Sequence, residues 1–214
     1  TAGLISAMLK AEGEKVAQIG TLGTIAEGYC QEKTLTTPDP IELHKVLFDL
    51  HQEGFTNIVM EASSHALDQS RVADVDFNYT VFTNLSPEHL DYHGTMADYF
   101  QAKVKLFTAL PPSAIAIVNM ETEYGQAISD NCTVPVVATA LAKTGDVFFK
   151  DYQISLAGIY GTIQAGEISY TVDSSLIGKF NAENILCATA TGNAMGLSLE
   201  AINNGIKQCA SIPG

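Results

Sequence analysis

The stretch Asn57-Ile58-Val59-Met60-Glu61-Ala62-Ser63-Ser64-His65-Ala66-Leu67 decides how the rest of the chain is read. Ile58, Val59 and Met60 follow one another with no polar residue between them, so both faces of this short strand must be covered. Strands buried on both faces belong to parallel sheets flanked by helices. The run stops at a carboxylate, and Glu61 opens a loop of hydroxyl, imidazole and amide groups. In open parallel sheets the loops at the carboxyl ends of strands build the ligand site.

Working outward, residues 40–53 carry apolar positions at helical spacing, begin at Pro40 and stop before Gly54. Proline is preorganised for the first helical position and glycine for the residue after the last. Upstream, Leu4, Ile5, Met8 and Leu9 recur at helical spacing, Gly13 ends that helix, and Val16-Ala17-Gln18-Ile19-Gly20 reads as a buried strand. Downstream come a strand at Tyr79-Thr80-Val81-Phe82, a helix over about residues 95–110 and a strand from Ala114 to Asn119. A further helix leads to a strand at Val134-Pro135-Val136-Val137-Ala138. Residues 146–176 alternate polar and apolar side chains between glycine turns, as in Gly166-Glu167-Ile168-Ser169-Tyr170-Thr171-Val172, which predicts a small antiparallel subsheet. Helices over roughly 180–195 and 198–210 close the chain. The expected fold is α/β, a doubly wound, mainly parallel sheet flanked by helices.

The chain has 214 residues, 46% hydrophobic and 16% charged, which suits one substantial core and predicts a single domain over residues 1–214. With 24 acidic residues against 11 Lys and Arg, the net charge of −13 argues against nonspecific nucleic-acid binding, so an anionic ligand needs a locally organised site. Cys30, Cys132, Cys187 and Cys209 are far apart, which fits neither a zinc site nor a disulfide framework and points to a reducing cytosol. No signal peptide and no apolar run near the length of a membrane span is visible. The first nine residues read as a helix already under way, so a preceding piece of chain is expected.

Chemistry-bearing side chains gather in three loops, residues 34–40, 61–71 and 83–94. A carboxylate at the end of a buried strand is costly unless paired or holding a cation, so Glu61 reads either as a metal ligand or as a salt-bridged cap. His89 and His93, with Glu88 and Asp91, lie in the neighbouring loop. On the following helix Lys103 is four residues from both Tyr99 and Phe107, on their aromatic face, whereas Lys105 points elsewhere. A lysine in an apolar setting loses proton affinity and becomes nucleophilic. Such an amine can take up carbon dioxide as a carbamate, an oxygen ligand suited to magnesium; a surface lysine lying along the helix is the plainer alternative. Ser63-Ser64-His65 does not read as a nucleophilic catalyst, because adjacent residues on one loop rarely reach triad geometry.

Thr36-Thr37-Pro38, Glu61-Ala62-Ser63-Ser64-His65-Ala66-Leu67, Thr83-Asn84-Leu85 with His89-Leu90-Asp91-Tyr92-His93-Gly94, Tyr99 with Lys103, and Leu176-Ile177-Gly178-Lys179-Phe180-Asn181 with Asn184 occur in that order. Together they resemble the central, P-loop-like domain of the Mur ligases, in the form found in the UDP-N-acetylmuramoyl-tripeptide synthetases. The resemblance covers essentially the whole chain. It implies an ATP-dependent amide ligase of peptidoglycan synthesis in the bacterial cytoplasm, adding diaminopimelate or lysine to UDP-MurNAc-L-Ala-D-Glu through an acyl phosphate. Position by position, it implies that Glu61, His89 and a carbamylated Lys103 hold Mg2+. Thr36, Thr37, Ser63, Gln69 and Arg71 would hold the muramoyl-peptide nucleotide, and Asn181 and Asn184 would face the adenine of ATP. His93 is read as a brace for its loop rather than a phosphate contact. A monomer is expected, with no membrane insertion.

The resemblance further implies a phosphate-binding G-T-N-G-K-T segment ending at Thr1, with uridine-binding and amino-acid-binding domains beyond the two ends of this stretch. Residues 1–214 alone are therefore expected to be inactive. Lys179 stands where the resemblance leads one to expect arginine, keeping the charge without the bidentate fork. Two other readings stay open: a related ligase of the folylpolyglutamate or cyanophycin synthetase type, and a non-catalytic nucleotide-binding domain.

Overall fold

The computed structural model describes residues 1–31 and 35–209, with Cys30 and Gln31 by backbone alone. Thr34, at the start of the first expected site loop, and Ile212-Pro213-Gly214 lie outside the described residues. The helices are α1 (Ala2–Ala11), α2 (Pro40–Gln52), α3 (Ser64–Asp68), α4 (Leu90–His93), α5 (Met96–Thr108), α6 (Glu123–Asn131), α7 (Lys179–Met195) and α8 (Leu199–Gln208). The strands are β1 (Val16–Gly20), β2 (Gly23–Ala26), β3 (Tyr29–Gln31), β4 (Asn57–Met60), β5 (Tyr79–Phe82), β6 (Ile115–Asn119), β7 (Val136–Ala140), β8 (Val147–Ser155), β9 (Gly158–Ala165) and β10 (Ile168–Ser174).

Local chemistry accounts for the boundaries. Asp39 caps α2 by accepting from the Glu42 amide at 3.0 Å, ahead of Pro40. At its other end Gly54 takes φ 80°, the Gly54 amide donates to His51 O and the Phe55 amide to Leu50 O. The same pair of bonds closes α1, where Gly13 takes φ 91°, with Gly13 donating to Lys10 O and Glu14 to Leu9 O. This is the glycine stop that satisfies the orphan carbonyls of a last turn. β7 starts two residues later than the sequence suggests, because Pro135 has no amide to donate and enters the ladder only as an acceptor from Ala116.

β5, β6, β7 and β8 run parallel, and β9 and β10 continue antiparallel, giving the order β10-β9-β8-β7-β6-β5 and the expected subsheet. A second sheet has the order β3-β2-β1-β4, with β1 parallel to β4 and a β2-β3 hairpin on its outer edge. Helices cover both faces. α1, α7 and α8 bury Leu4, Met8, Ile185 and Ile202 against Ile117, Ile159, Ile163 and Tyr170. α5 and α6 pack Phe107 and Ile128 on Phe82 and Val118, while α2 packs Leu43, Val46 and Leu50 on Ala17 and Ile19. Among the described residues the two sheets are not hydrogen-bonded to each other. Their terminal strands β4 and β5 face one another across a cleft of about 670 Å3, whose other walls are Thr1, Ala2 and Ile5 of the α1 region, Lys103 and Phe107 of α5, and Asn184 and Thr191 of α7.

Candidate active site

Glu61 follows β4, and its backbone amide still donates to Ile19 O at 2.9 Å, as the ladder would. Its carboxylate accepts from the Thr21 amide at 3.2 Å and the Thr21 hydroxyl at 3.0 Å. It lies so close over β1 that a Cβ on Gly20 would stand 2.8 Å from Glu61 Cδ, so only glycine leaves it room. Because the Thr21 hydroxyl hydrogen is spent on Glu61, Thr36 Oγ1, 3.4 Å away, is the donor in the next link. Thr37 is 0% exposed. Its hydroxyl donates to Glu61 O at 2.7 Å and accepts from the Ser63 amide at 3.0 Å, stitching two of the three expected loops together.

The loop after Glu61 is not irregular throughout. Ser63 Oγ accepts from the Ala66 amide at 3.2 Å and starts the single-turn helix α3. Its hydroxyl hydrogen stays available to a ligand. α3 ends with the pair of bonds seen at Gly13 and Gly54, Ser70 donating to Leu67 O and Arg71 to Ala66 O, but here a serine holds φ 57°. The turn brings Gln69 and Arg71 side by side. Arg71 Nε and Nη2 donate to Gln69 Oε1 at 2.9 and 2.5 Å, and Nη1 donates to Thr37 O at 3.0 Å.

Lys103 lies on α5 with Nζ 5.8 Å from the Tyr99 ring centroid, on the aromatic side expected. Burial pushes its pKa below the ordinary lysine value, against an opposing pull from Glu88. His89 has left-handed backbone, φ 57°, and its ring is 5.0 Å from that of His65 and 6.0 Å from that of Tyr99. Burial, and next the charges of His89 and His93, push the pKa of His65 down. His93 Nε2 is 2.9 Å from Ser64 Oγ, and its ring stacks on Tyr99 at 5.0 Å and 13°. His93 thus braces the loop. A serine-histidine contact does exist here, between Ser64 and His93 rather than His65, but Ser64 is only 2% exposed and has no open approach for a substrate.

Thr1, Glu61, Asn84, Lys103 and Asn184 all line the cleft between β4 and β5. Thr1 Oγ1 donates to Asn184 Oδ1 at 2.7 Å; Asn184 Nδ2 is 3.5 Å from Asn181 Oδ1, and Asn181 Nδ2 donates to Ile177 O at 2.8 Å. Thr36, Thr37, Ser63, Gln69 and Arg71 form one hydrogen-bonded group anchored on Glu61 through Thr37 and Thr21. His89 is not among the cleft-lining residues, and Asn181 reaches the cleft only through Asn184. Among the described residues no three His, Cys, Asp or Glu side chains stand ready to hold a metal together. Lys103, with its disfavoured ammonium, lies on the same cleft as Glu61. Lys179 meets two carboxylates through its single nitrogen, Glu121 at 3.3 Å and Glu183 at 3.6 Å. Sequence reasoning missed Gly20 and Thr21, whose only signal is their place at the end of a buried strand beside that of Glu61.

This geometry has close parallels among known proteins. The UDP-N-acetylmuramoyl-L-alanyl-D-glutamate–2,6-diaminopimelate ligase of Geobacter metallireducens is 37% identical over 99% of this chain, which spans 42% of that protein's length. A solved structure of a ligase with the same name superposes with a TM-score of 0.87 at 29% identity, covering 100% of this chain and 44% of the other. The Mycobacterium tuberculosis folylpolyglutamate synthase, solved with ADP and AMPPCP, superposes at 0.74 with 15% identity over 100% of this chain and 56% of that one, a likeness of fold alone. The profile of the Mur ligase middle domain matches residues 1–192, from α1 into α7 and across every site residue named above, and the chain belongs to that family.

Proposed function

We propose that this chain is the ATP-handling part of a ligase that joins diaminopimelate to the terminal glutamate of UDP-MurNAc-L-Ala-D-Glu. The observation that carries this reading is Lys103, with its ammonium disfavoured by burial, on the same cleft as Glu61. Support for the substrate comes from the Geobacter relative, whose name specifies that reaction and whose identity to this chain is more than twice that of the folylpolyglutamate synthase.

In this reading the Arg71 fork and Gln69 hold the anionic muramoyl peptide, helped by the free hydroxyl hydrogen of Ser63, while Thr36, whose hydrogen goes to Thr21, offers the peptide only its oxygen lone pair. Thr37, whose hydroxyl is committed within the protein, serves by fixing the two loops. Asn184, tied to Thr1, and Asn181 face the adenine. Glu61, His89 and Lys103 would hold Mg2+, with Lys103 as the carbamate that its neutral amine would form with carbon dioxide by making an N–C bond and releasing one proton. When bound, that ion neutralises the ATP phosphates as they approach the substrate carboxylate. The glutamate carboxylate displaces ADP from the γ-phosphorus, and the incoming amine then attacks the acyl carbon and expels phosphate. Thr21 holds the Glu61 carboxylate in place throughout. The protein acts as a monomer in the bacterial cytoplasm.

The test is ligation by the full-length protein with ATP, Mg2+, UDP-MurNAc-L-Ala-D-Glu and either diaminopimelate or lysine, comparing natural protein with Lys103→Ala with and without added short carboxylic acids. Activity with diaminopimelate that is lost in the variant and partly restored by the acids is expected. No ligation by the unmutated protein with either amine would sink the assignment.

A further inference from the structure

We propose that Tyr92, held by Asp68, is a positioning residue that sets which way the Gln69 amide faces and so keeps the Arg71 fork aimed; this rests on the reading of Arg71 as the anchor of an anionic substrate. Tyr92 lies on α4, two loops away from Arg71 in sequence, and no role for it follows from the reaction itself.

Hydrogen-bond polarity fixes the arrangement. Gln69 Nε2 is 3.0 Å from Tyr92 Oη, Tyr92 Oη is 3.1 Å from Asp68 Oδ2, and Asp68 Oδ1 is 2.7 Å from Lys105 Nζ. A carboxylate only accepts and an ammonium only donates. With Lys105 donating to Asp68, the carboxylate stays charged, and hydrogen bonds from Lys105 and Tyr92 hold its pKa below the ordinary value. The tyrosine hydrogen is therefore committed to Asp68, and the phenol oxygen has only lone pairs to offer Gln69. Gln69 must present its amino group to Tyr92 and its carbonyl to the other side, where both Arg71 Nε and Nη2 donate to it. A guanidinium cannot accept, so an inverted amide would set donor against donor. Every link from Lys105 to Arg71 has one permitted direction, and Asp68 fixes it.

Backbone geometry points the same way. Ser70 between Gln69 and Arg71 holds φ 57°, and this left-handed residue is what places side chains two positions apart within reach of one another. Tyr92 also packs on His65, with ring centroids 4.1 Å apart, so its hydroxyl has little freedom to turn away.

Two substitutions in the full-length protein separate this role from bulk packing. Tyr92→Phe keeps the ring and removes only the hydroxyl, releasing Gln69. Asp68→Asn leaves one acceptor oxygen for two donors, Lys105 and Tyr92, and when the ammonium takes it the phenol hydrogen is freed to seek the Gln69 carbonyl and competes directly with Arg71. The expected result for Tyr92→Phe is a KM for UDP-MurNAc-L-Ala-D-Glu raised by about three- to tenfold, the worth of one ordinary hydrogen bond, with kcat, the KM for ATP and the melting temperature little changed. Asp68→Asn raises the same KM further, and Asp68→Glu restores part of it. The Arg71 Nε–H resonance, read by NMR without any turnover, shifts in both Tyr92→Phe and Asp68→Asn. An unmoved Arg71 resonance in both variants, or KM values for the two substrates rising together, overturns the positioning role. Absence of ligation by the unmutated protein refutes the functional reading instead, and the resonance still decides the positioning.

Discussion

Gly20→Ala isolates the placement of the Glu61 carboxylate from the stability of the fold. An added Cβ would lie 2.8 Å from Glu61 Cδ and 2.9 and 3.0 Å from its two oxygens, and ordinary contact begins near 3.4 Å, so the carboxylate must retreat by about 0.6 Å. The atoms that yield are the end of a flexible side chain, not backbone, so folding suffers little. Alanine in a strand gains roughly 0.5–1 kcal/mol over glycine. Loss of the two bonds from Thr21 costs roughly 0.5–1.5 kcal/mol each. The melting temperature should therefore move by no more than several degrees. Function is less tolerant, since a reacting group displaced by about 1 Å can lose on the order of 100-fold in rate. A displacement of about 0.6 Å predicts a loss of roughly 10- to 100-fold in kcat/KM at fixed Mg2+, partly recovered as Mg2+ is raised. Initial rates against Mg2+ concentration, together with calorimetry, make the comparison. Wild-type rates in a folded Gly20→Ala protein would refute the role given to the Glu61 carboxylate, and a collapse of stability would refute the claim that only a side chain has to move.

Gly205→Ala should behave in the opposite way. Its Cβ would meet the backbone of Met8 at 2.5 Å where α8 crosses α1, so overpacking of about 1–3 kcal/mol outweighs the better helix propensity of alanine, and denaturant midpoints should fall. Ser70→Gly should stabilise the protein by about 0.5–1 kcal/mol, because a left-handed residue other than glycine costs roughly 1–2 kcal/mol, part of which glycine's greater unfolded-state freedom takes back; an unchanged midpoint would argue against strain there. For Lys103 the folded pKa is lowered, so between that value and the unfolded value near 10.4 the unfolded chain binds more protons. Stability should rise with pH across that window in carbon dioxide-free buffer, with the full penalty present below it. Lys103→Met should flatten the slope and raise stability at neutral pH, as measured by denaturation at a series of pH values.

The parallel strands, their covering helices and the antiparallel subsheet were legible because uninterrupted apolar runs and glycine stops leave few alternatives. Gly13 and Gly54 announce their helix ends, and Pro40 announces a beginning. The β2-β3 hairpin was not read, although Glu27-Gly28, with Gly28 at φ 76°, is the two-residue turn that joins it. Strands of four and three residues carry too few alternating positions to stand out, and Ile25 is left exposed. α3 was hidden for a different reason. Its stop is a serine, so the signal that marked the other two ends was absent. Within the site, the loops that crowd around Glu61 could be named from residue type, but the partners could not. That Thr37 would be sealed inside, that His93 would bond Ser64, and that Tyr92 would reach Gln69 depend on the crossing of loops distant in sequence, which no local pattern encodes.

The pairing of the strands has a dynamic consequence. Protection against hydrogen exchange ordinarily peaks in strands with a ladder partner on each side. Here the amides of β1, β6 and β7, each paired on both sides, should hold their hydrogens longest, while those of the short β2-β3 hairpin at the outer edge trade theirs early. The order of exchange would then run inward from that hairpin and from β10 at the far edge of the larger sheet.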